Sequence, residues 1–410
     1  MKTHKRITLA PQYYELFTCT GSECEDTCCT GWHINIDKTT YKKYKKLPNS
    51  PAKDQISQAI KRNKTNANDQ SYAYIVFNED NYCPMLTREK LCGIQQTLGE
   101  GYLSNVCKMY PRFHNKLDET IEKSLSLSCP EAARLILVNP DGIEFNQQEE
   151  DHKGTEFIMK QLNTKASSYY EYFWDLRVFT IQLLQNRDYS VSDRLIIIGM
   201  FYKNIQECIN QNQTQKIPDM IAKFTTLLHE NAFQNELQKI PAQVAVQVFL
   251  LKQLVDMRIK IGKMHNRFAE YLNQFLDGIA YDEEKNIEEI AEKYAAVHKQ
   301  YFQPFEDKHG YIFENYLVNY VFKNLFPFGN GHDVFREYIL MVVHFGLIKM
   351  LMIGMSGYYK ESFGVEHAVN LIQSFSRTIE HSQFFLDGIL SLLYQNGYAS
   401  LGYMTVFIRN

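Results

Sequence analysis

The chain has 410 residues, enough for two domains with sizeable cores. Apolar side chains make up 45% and charged ones 22%, an ordinary balance for a folded soluble protein rather than a disordered one. With 44 basic and 47 acidic side chains the formal charge is -3, which excludes a global electrostatic pull toward nucleic acid and leaves only local patches.

The amino terminus, Met1-Lys2-Thr3-His4-Lys5-Arg6, has no apolar run behind it, so no signal peptide is expected. The expected setting is the reducing cytoplasm, where disulfides do not persist and thiols are available as ligands. Residues 1–18 read as a short lead, anchored by Tyr13, Tyr14, Leu16 and Phe17. From Thr20 to Gly31 the composition is that of a loop. Trp32–Asp37 alternates apolar and polar residues, which predicts a short strand, and Tyr72–Phe77 predicts another.

Between them, residues 38–64 carry nine Lys or Arg against one Asp, interleaved with Tyr41 and Tyr44. The pattern suits the solvated face of a helix such as Thr40–Lys46, or a docking patch for an acidic partner. Pro130 opens a helix with Cys129 at its N-cap, where the helix terminus favours a thiolate. Residues 138–155 read as a strand pair or a linker.

Beyond residue 155 helical periodicity dominates. Ser190-x-x-Asp193 precedes an apolar run as a capping box does. Helices are expected over Val244–Leu276, Tyr316–Leu325, Tyr338–Met355, His367–Arg377 and Phe384–Tyr394. The run Tyr338–Gly357 is long enough to test as a membrane span, but it contains His344 and Lys349 and sits among similar helices; a buried helix is expected. The predicted fold is mainly α: a loop-rich, cysteine-cluster N-terminal domain with a few short strands (1–140), then an all-helical domain (155–410).

Eight of the nine cysteines fall in the first 130 residues: Cys19, Cys24, Cys28, Cys29, Cys83, Cys92, Cys107 and Cys129. Only Cys208 lies outside. Disulfides do not suit the setting, and buried apolar cysteines would not concentrate in polar, Gly- and Pro-flanked loops. The array therefore predicts a metal or iron–sulfur centre. Adjacent Cys28 and Cys29 do not readily face one ion, so two centres, or one centre with spare thiols, are expected. Zinc favours C-x2-4-C pairs, and Cys24-x3-Cys28 fits that spacing. Cys83-Pro84 and Cys129-Pro130 follow a habit of ferredoxin-type ligands.

The runs Phe17-Thr18-Cys19, Cys24-Glu25-Asp26-Thr27-Cys28-Cys29-Thr30-Gly31-Trp32, Cys83-Pro84-Met85-Leu86, Leu91-Cys92-Gly93 and Asn105-Val106-Cys107-Lys108-Met109-Tyr110-Pro111-Arg112 resemble the flagellin lysine-N-methylase family. The similarity continues at Ser192-Asp193-Arg194-Leu195-Ile196, Glu314–Tyr320 and Ser376-Arg377-Thr378-Ile379-Glu380-His381, and so covers nearly the full length. The cysteine-rich part also resembles a broader group of zinc- or iron-chelating cysteine-cluster domains. The resemblance implies an S-adenosylmethionine-dependent enzyme that methylates lysines of flagellin, carries a [4Fe-4S] cluster involved in methyl transfer, and has the eight clustered cysteines as candidate ligands. Zinc remains the alternative metal.

A lysine methylase must present a neutral amine, although a free lysine has a pKa of about 10.4, so it must desolvate the amine or supply a base. Glu380, His381 and Arg377 are the candidate catalytic residues, and Asn315 and Asn319 beside Glu314 the candidate cofactor-binding ones. His33 and His114 lie near cysteines in the sequence and are candidate metal ligands, or donors that hold a ligand in place. No glycine-rich strand–turn–helix and no C-x3-C-x2-C triplet is present, so a donor site of another design is expected. Flagellin is the expected partner; neither a membrane nor nucleic acid is expected. The competing readings are a non-catalytic metal or iron–sulfur module for metal handling or redox sensing, and a nucleic-acid binder using residues 38–64.

Overall fold

The apolar run at 338–357 becomes the axis of the protein. In the computed structural model, which describes residues 4–65, 67–152, 157–260, 266–282, 285–331, 333–380 and 382–410, it lies within a helix over Val334–Tyr359. Asp333 caps that helix, its carboxylate accepting the Arg336 amide at 2.7 Å. Among the described residues this is the one helix long and apolar enough to cross a membrane, and its apolar window is wholly buried inside the protein. A buried core helix was the expectation.

Other helices pack around it by the same logic of apolar faces turned inward. Among them are Phe173–Leu184, Val191–Asn210, Asn266–Gly278, Tyr311–Lys323 and Val365–Phe375. The expected cap at Ser190 is present: its hydroxyl accepts the Asp193 amide at 3.1 Å and donates to the Asp193 carboxylate at 2.7 Å. Where Asn266–Gly278 crosses the central helix the backbones touch, because a Cβ on Gly354 would run into Phe275. The stretch Val244–Leu276 is two helices, Val244–Lys260 and Asn266–Gly278, and residues 261–265 lie outside the described ones.

The amino-terminal part contains more sheet than its short apolar runs suggested. Five strands align as β7-β1-β6-β5-β8, with β1 His4–Pro11, β5 Arg112–Leu117, β6 Thr120–Leu125, β7 Phe145–His152 and β8 Lys160–Leu162. β1 runs antiparallel to β7, from His4 opposite His152 to Pro11 opposite Phe145, and parallel to β6. The lead segment and the linker-like stretch thus turn out to be partners more than 130 residues apart, which no local pattern reveals. A smaller antiparallel sheet, β2 Asn35–Ile36, β4 Ala73–Ile75 and β3 Ile60–Arg62, replaces the two longer strands expected there.

Two apolar cores result. One fills the helical body and reaches under the five-stranded sheet; the other is small and holds Ile34, Ile36, Tyr44, Ile56, Ile75, Met85 and Ile94 together with Cys83. The sheet is tied to the helices by a buried ion pair. Arg177 of Phe173–Leu184 donates from Nη1 to Glu122 Oε2 at 2.9 Å and from Nη2 to Oε1, with both side chains almost fully buried.

Candidate functional site

The cysteines are gathered by backbone pairing around the small core. The Cys83 amide donates to the Cys29 carbonyl at 2.7 Å, and the Gly93 amide to the Met85 carbonyl at 2.7 Å. These two bonds bring Cys29, Cys83 and Cys92 side by side. Gly93 is required at that crossing, since a Cβ there would lie 2.9 Å from the Met85 oxygen. Ser104 caps the short helix Asn105–Met109 by accepting the Cys107 amide at 3.3 Å, and so sets Cys107 against the same group. Cys28, Cys29, Cys83, Cys92 and Cys107 all line one cavity of about 70 Å³, walled otherwise by Ile34, Ile36, Tyr44, Ile75 and Ile94.

The eight clustered cysteines therefore divide. Five share this cavity, whereas Cys129 has Cys24 and Cys19 as its electrostatic neighbours. Cys208 is buried in the helix Val191–Asn210, apart from both groups. Cys129 is the N-cap residue of the helix Pro130–Leu137, as expected, but burial pushes its thiol up to about 12, outweighing the favourable helix terminus.

Within the group of five, Cys29 shares hydrogen bonds with Cys28, Cys83 and Cys92. Those bonds raise Cys29 far above the ordinary thiol range, so it keeps its proton and donates it. The bond to Cys29 lowers Cys92 to about 6, and lowers Cys28 and Cys83 as well. Burial pushes Cys107 up to about 12. Soft sulfur donors of reduced pKa in an apolar wall are the chemistry that a thiolate-bound metal or cluster uses. As the side chains stand, no group of three or more His, Cys, Asp or Glu among the described residues is arranged to hold a metal ion. The donor set fits such a group by chemistry, and closing on it requires the thiols to move and Cys29 to lose its proton.

A larger cavity, of about 280 Å³, adjoins the thiol cavity and shares Cys28, Trp32 and Tyr110 with it. Trp32 and Tyr110 stack with ring centroids 5.7 Å apart. Phe113, Phe157, Met109 and Met159 extend the apolar wall, while Arg112, Ser126, Ser128 and Arg377 supply polar groups. His33 also lines this cavity and packs on Tyr74. His114 lies elsewhere, bonded to the Tyr14 hydroxyl at 2.7 Å.

Arg377 and Glu380 occupy one π-helical turn, Ser376–Glu380, but face different tasks. Arg377 holds the cysteine loop. Its Nη2 donates to the carbonyls of Thr27 at 2.8 Å and Thr30 at 2.6 Å, on either side of Cys28 and Cys29, and Nη1 pairs with buried Asp26 at 2.6 Å. Gln373, one turn earlier, bonds the same Asp26 at 2.9 Å and the Ser128 carbonyl at 2.8 Å. Glu380 instead accepts from the Tyr316 hydroxyl at 2.7 Å, Ser376 at 3.0 Å and Lys323 Nζ at 3.1 Å. Burial would raise its pKa, but Lys323, His344 and the hydrogen bonds outweigh burial and hold it at about 2. His381 lies outside the described residues.

Glu380 lines a third cavity, of about 210 Å³, which shares Phe113 with the aromatic one. Asn315 and Asn319 line none of the three. Asn315 donates to the Asn139 carbonyl at 2.8 Å, and Asn319 accepts from Tyr13 at 2.5 Å, so both stitch the helix Tyr311–Lys323 to the amino-terminal part. Sequence reasoning missed Lys323 and the role of His344. The signals were there: Tyr316, Tyr320 and Lys323 share a helix face, and a histidine stands inside the apolar run.

The family profile of the FliB lysine N-methylase C-terminal domain matches residues 177–407. A lysine-N-methylase of Salmonella typhimurium (strain LT2) is 25% identical over 387 residues, which is 92% of this chain and 93% of that protein. A lysine-N-methylase of Salmonella choleraesuis matches to the same extent. The flagellar biosynthetic protein FliU of Salmonella muenchen is 34% identical over 170 residues, covering 40% of this chain and 96% of its own length. No solved structure matches.

Proposed function

Because the chain belongs to the FliB lysine N-methylase family, we propose that it is an S-adenosylmethionine-dependent protein-lysine N-methyltransferase acting on flagellin in the cytoplasm, with a [4Fe-4S] cluster held by thiolates of the small-core cavity. The observation that supports this reading is adjacency: the thiol cavity and the aromatic cavity share Cys28, Trp32 and Tyr110 as lining residues, and the aromatic cavity and that of Glu380 share Phe113.

Each compartment suits one part of the reaction. A sulfonium is a cation, and the stacked Trp32 and Tyr110 present aromatic faces that stabilise one. Arg112 and the serines 126 and 128 offer partners for the donor's carboxylate and hydroxyls. Arg377, with Asp26, holds the loop of Cys28 and Cys29 at the junction, which makes it a positioning residue. Cys28, Cys29, Cys83, Cys92 and Cys107 are the residues that would hold the cluster, which when bound supplies redox-active iron beside the donor. In the transfer itself the lysine nitrogen lone pair takes the methyl group. The carbon–sulfur bond breaks with its electrons left on sulfur, and the nitrogen releases its proton to solvent.

Incubation with S-adenosylmethionine and flagellin, read by intact mass, tests the activity; mass gains in whole methyl steps are expected. Anaerobic purification with absorption and Mössbauer spectra tests the cluster, and a colourless protein with stoichiometric zinc would refute it.

A further inference from the structure

The cavity that Glu380 lines, of about 210 Å³, combines apolar wall from Phe113, Leu340, Leu386 and Leu390 with a few polar groups. At the rim lie Lys160 and the exposed Asn330, joined at 2.6 Å. At the floor lie Glu380 and His344. His344 is 2% exposed, and neither of its ring nitrogens has a hydrogen-bond partner among the described residues. Buried polar atoms are seldom left unpaired, and an unpaired histidine in the lining of a cavity suits a ligand that enters it. We propose that this cavity receives the acceptor lysine of the protein substrate, its four methylenes against Phe113, Leu340 and Leu390 and its amine bonded to His344. This rests on the methyltransferase reading above.

The floor also explains how the amine would become a nucleophile. Burial lowers His344 to about 4, so the ring is neutral at physiological pH and one nitrogen accepts an N–H. Glu380 is already paired with Lys323, so no free carboxylate waits to hold an ammonium ion. An incoming ammonium would meet low polarity, which favours the neutral amine, and the opposed charges of Glu380 and Lys323, which largely offset each other. Lys160 already shows the effect on an amine at this cavity: burial, then Lys323, lowers it to about 8. Desolvation thus does the work of a strong base.

The test is equilibrium binding of Nα-acetyl-lysine methylamide to the full chain, followed by NMR, beside the norleucine analogue that lacks the amine. Saturable lysine binding is expected, at least tenfold tighter than norleucine. Leu390→Phe, which narrows the walls, should abolish it, and His344→Asn should weaken lysine at least tenfold without altering norleucine. Should Leu390→Phe fail to fold, His344→Asn decides alone. Equal binding of the two probes, or lysine binding unaffected by the variants, would overturn the assignment. Flagellin methylation separates the two levels. If it persists unchanged in both variants, the cavity assignment falls and the methyltransferase reading stands. If the wild type binds the lysine probe as described but never methylates flagellin, the reading falls and the lysine cavity stands.

Discussion

The two ends of the molecule solve the problem of burying polar groups in opposite ways. The helical body pairs its buried carboxylates with its own cations, Glu314 with Arg194 and Arg187 and Glu380 with Lys323, and a pair of the same kind, Arg177 with Glu122, joins it to the sheet. The cysteine module has a small apolar core and relies on backbone crossings and caps to gather thiols that satisfy one another only through Cys29. Buried charge pairs are costly to break but fix one arrangement. Thiols sharing a proton fix little until something replaces that proton. The helical part should thus be stable by itself, whereas the order of the cysteine module should depend on what it binds.

The contrast is broken most severely at the seam. Arg177→Met leaves Glu122 buried without its partner, and a loss of about 3–5 kcal/mol is expected by chemical denaturation. A smaller loss, no greater than that of a surface substitution, would mean that the sheet and helices are joined chiefly by apolar contact.

A second effect belongs to the helical body alone. Burial raises Glu337 to about 7 from an ordinary 4.5. Between those values the folded protein keeps a proton that the unfolded chain has lost. The stability from this group is present below pH 4.5 and is lost as pH rises toward 7. Relative to Glu337→Gln, the wild type should lose on the order of 3 kcal/mol across that window. Melting temperatures of the two proteins measured against pH check it; parallel curves would contradict it.

The smallest effect is local to the thiols. Ser104→Ala removes the cap of Asn105–Met109, at a cost of about 1 kcal/mol. Alkylation of Cys107 should quicken while the main melting transition stays in place. A shift of the whole transition would show that the cysteine module and helical body unfold as one.

Much of this contrast was legible in the residues. The helices follow from their apolar spacing, and the cap at Ser190, the N-cap at Cys129 and the buried nature of the 338–357 run all follow from local chemistry. What stayed hidden is non-local. β1 pairs with β7 across more than 130 residues, and the strands Arg112–Leu117 and Thr120–Leu125 alternate too weakly to stand out. At the site, the clustering of thiols marked the centre, but spacing could not divide five from three, because Gly93–Met85 and Cys83–Cys29 backbone bonds decide it. Arg377 and Glu380 were singled out together, yet one holds the cysteine loop and the other the floor of a separate cavity. In the wider π-helical turn Ser376–Glu380, side chains three residues apart point to different faces, and only the packed helices fix which neighbour each meets.

On the proposed function the cysteine array and the two cavities beside it form one methyl-transfer site. Anaerobically purified protein with S-adenosylmethionine and flagellin, followed by intact mass for the wild type, Cys92→Ser and Cys208→Ser, tests it most directly. Stepwise methyl addition is expected from the wild type and from Cys208→Ser, and none from Cys92→Ser although its helical body remains folded. Methyl addition at the wild-type rate by Cys92→Ser would contradict it.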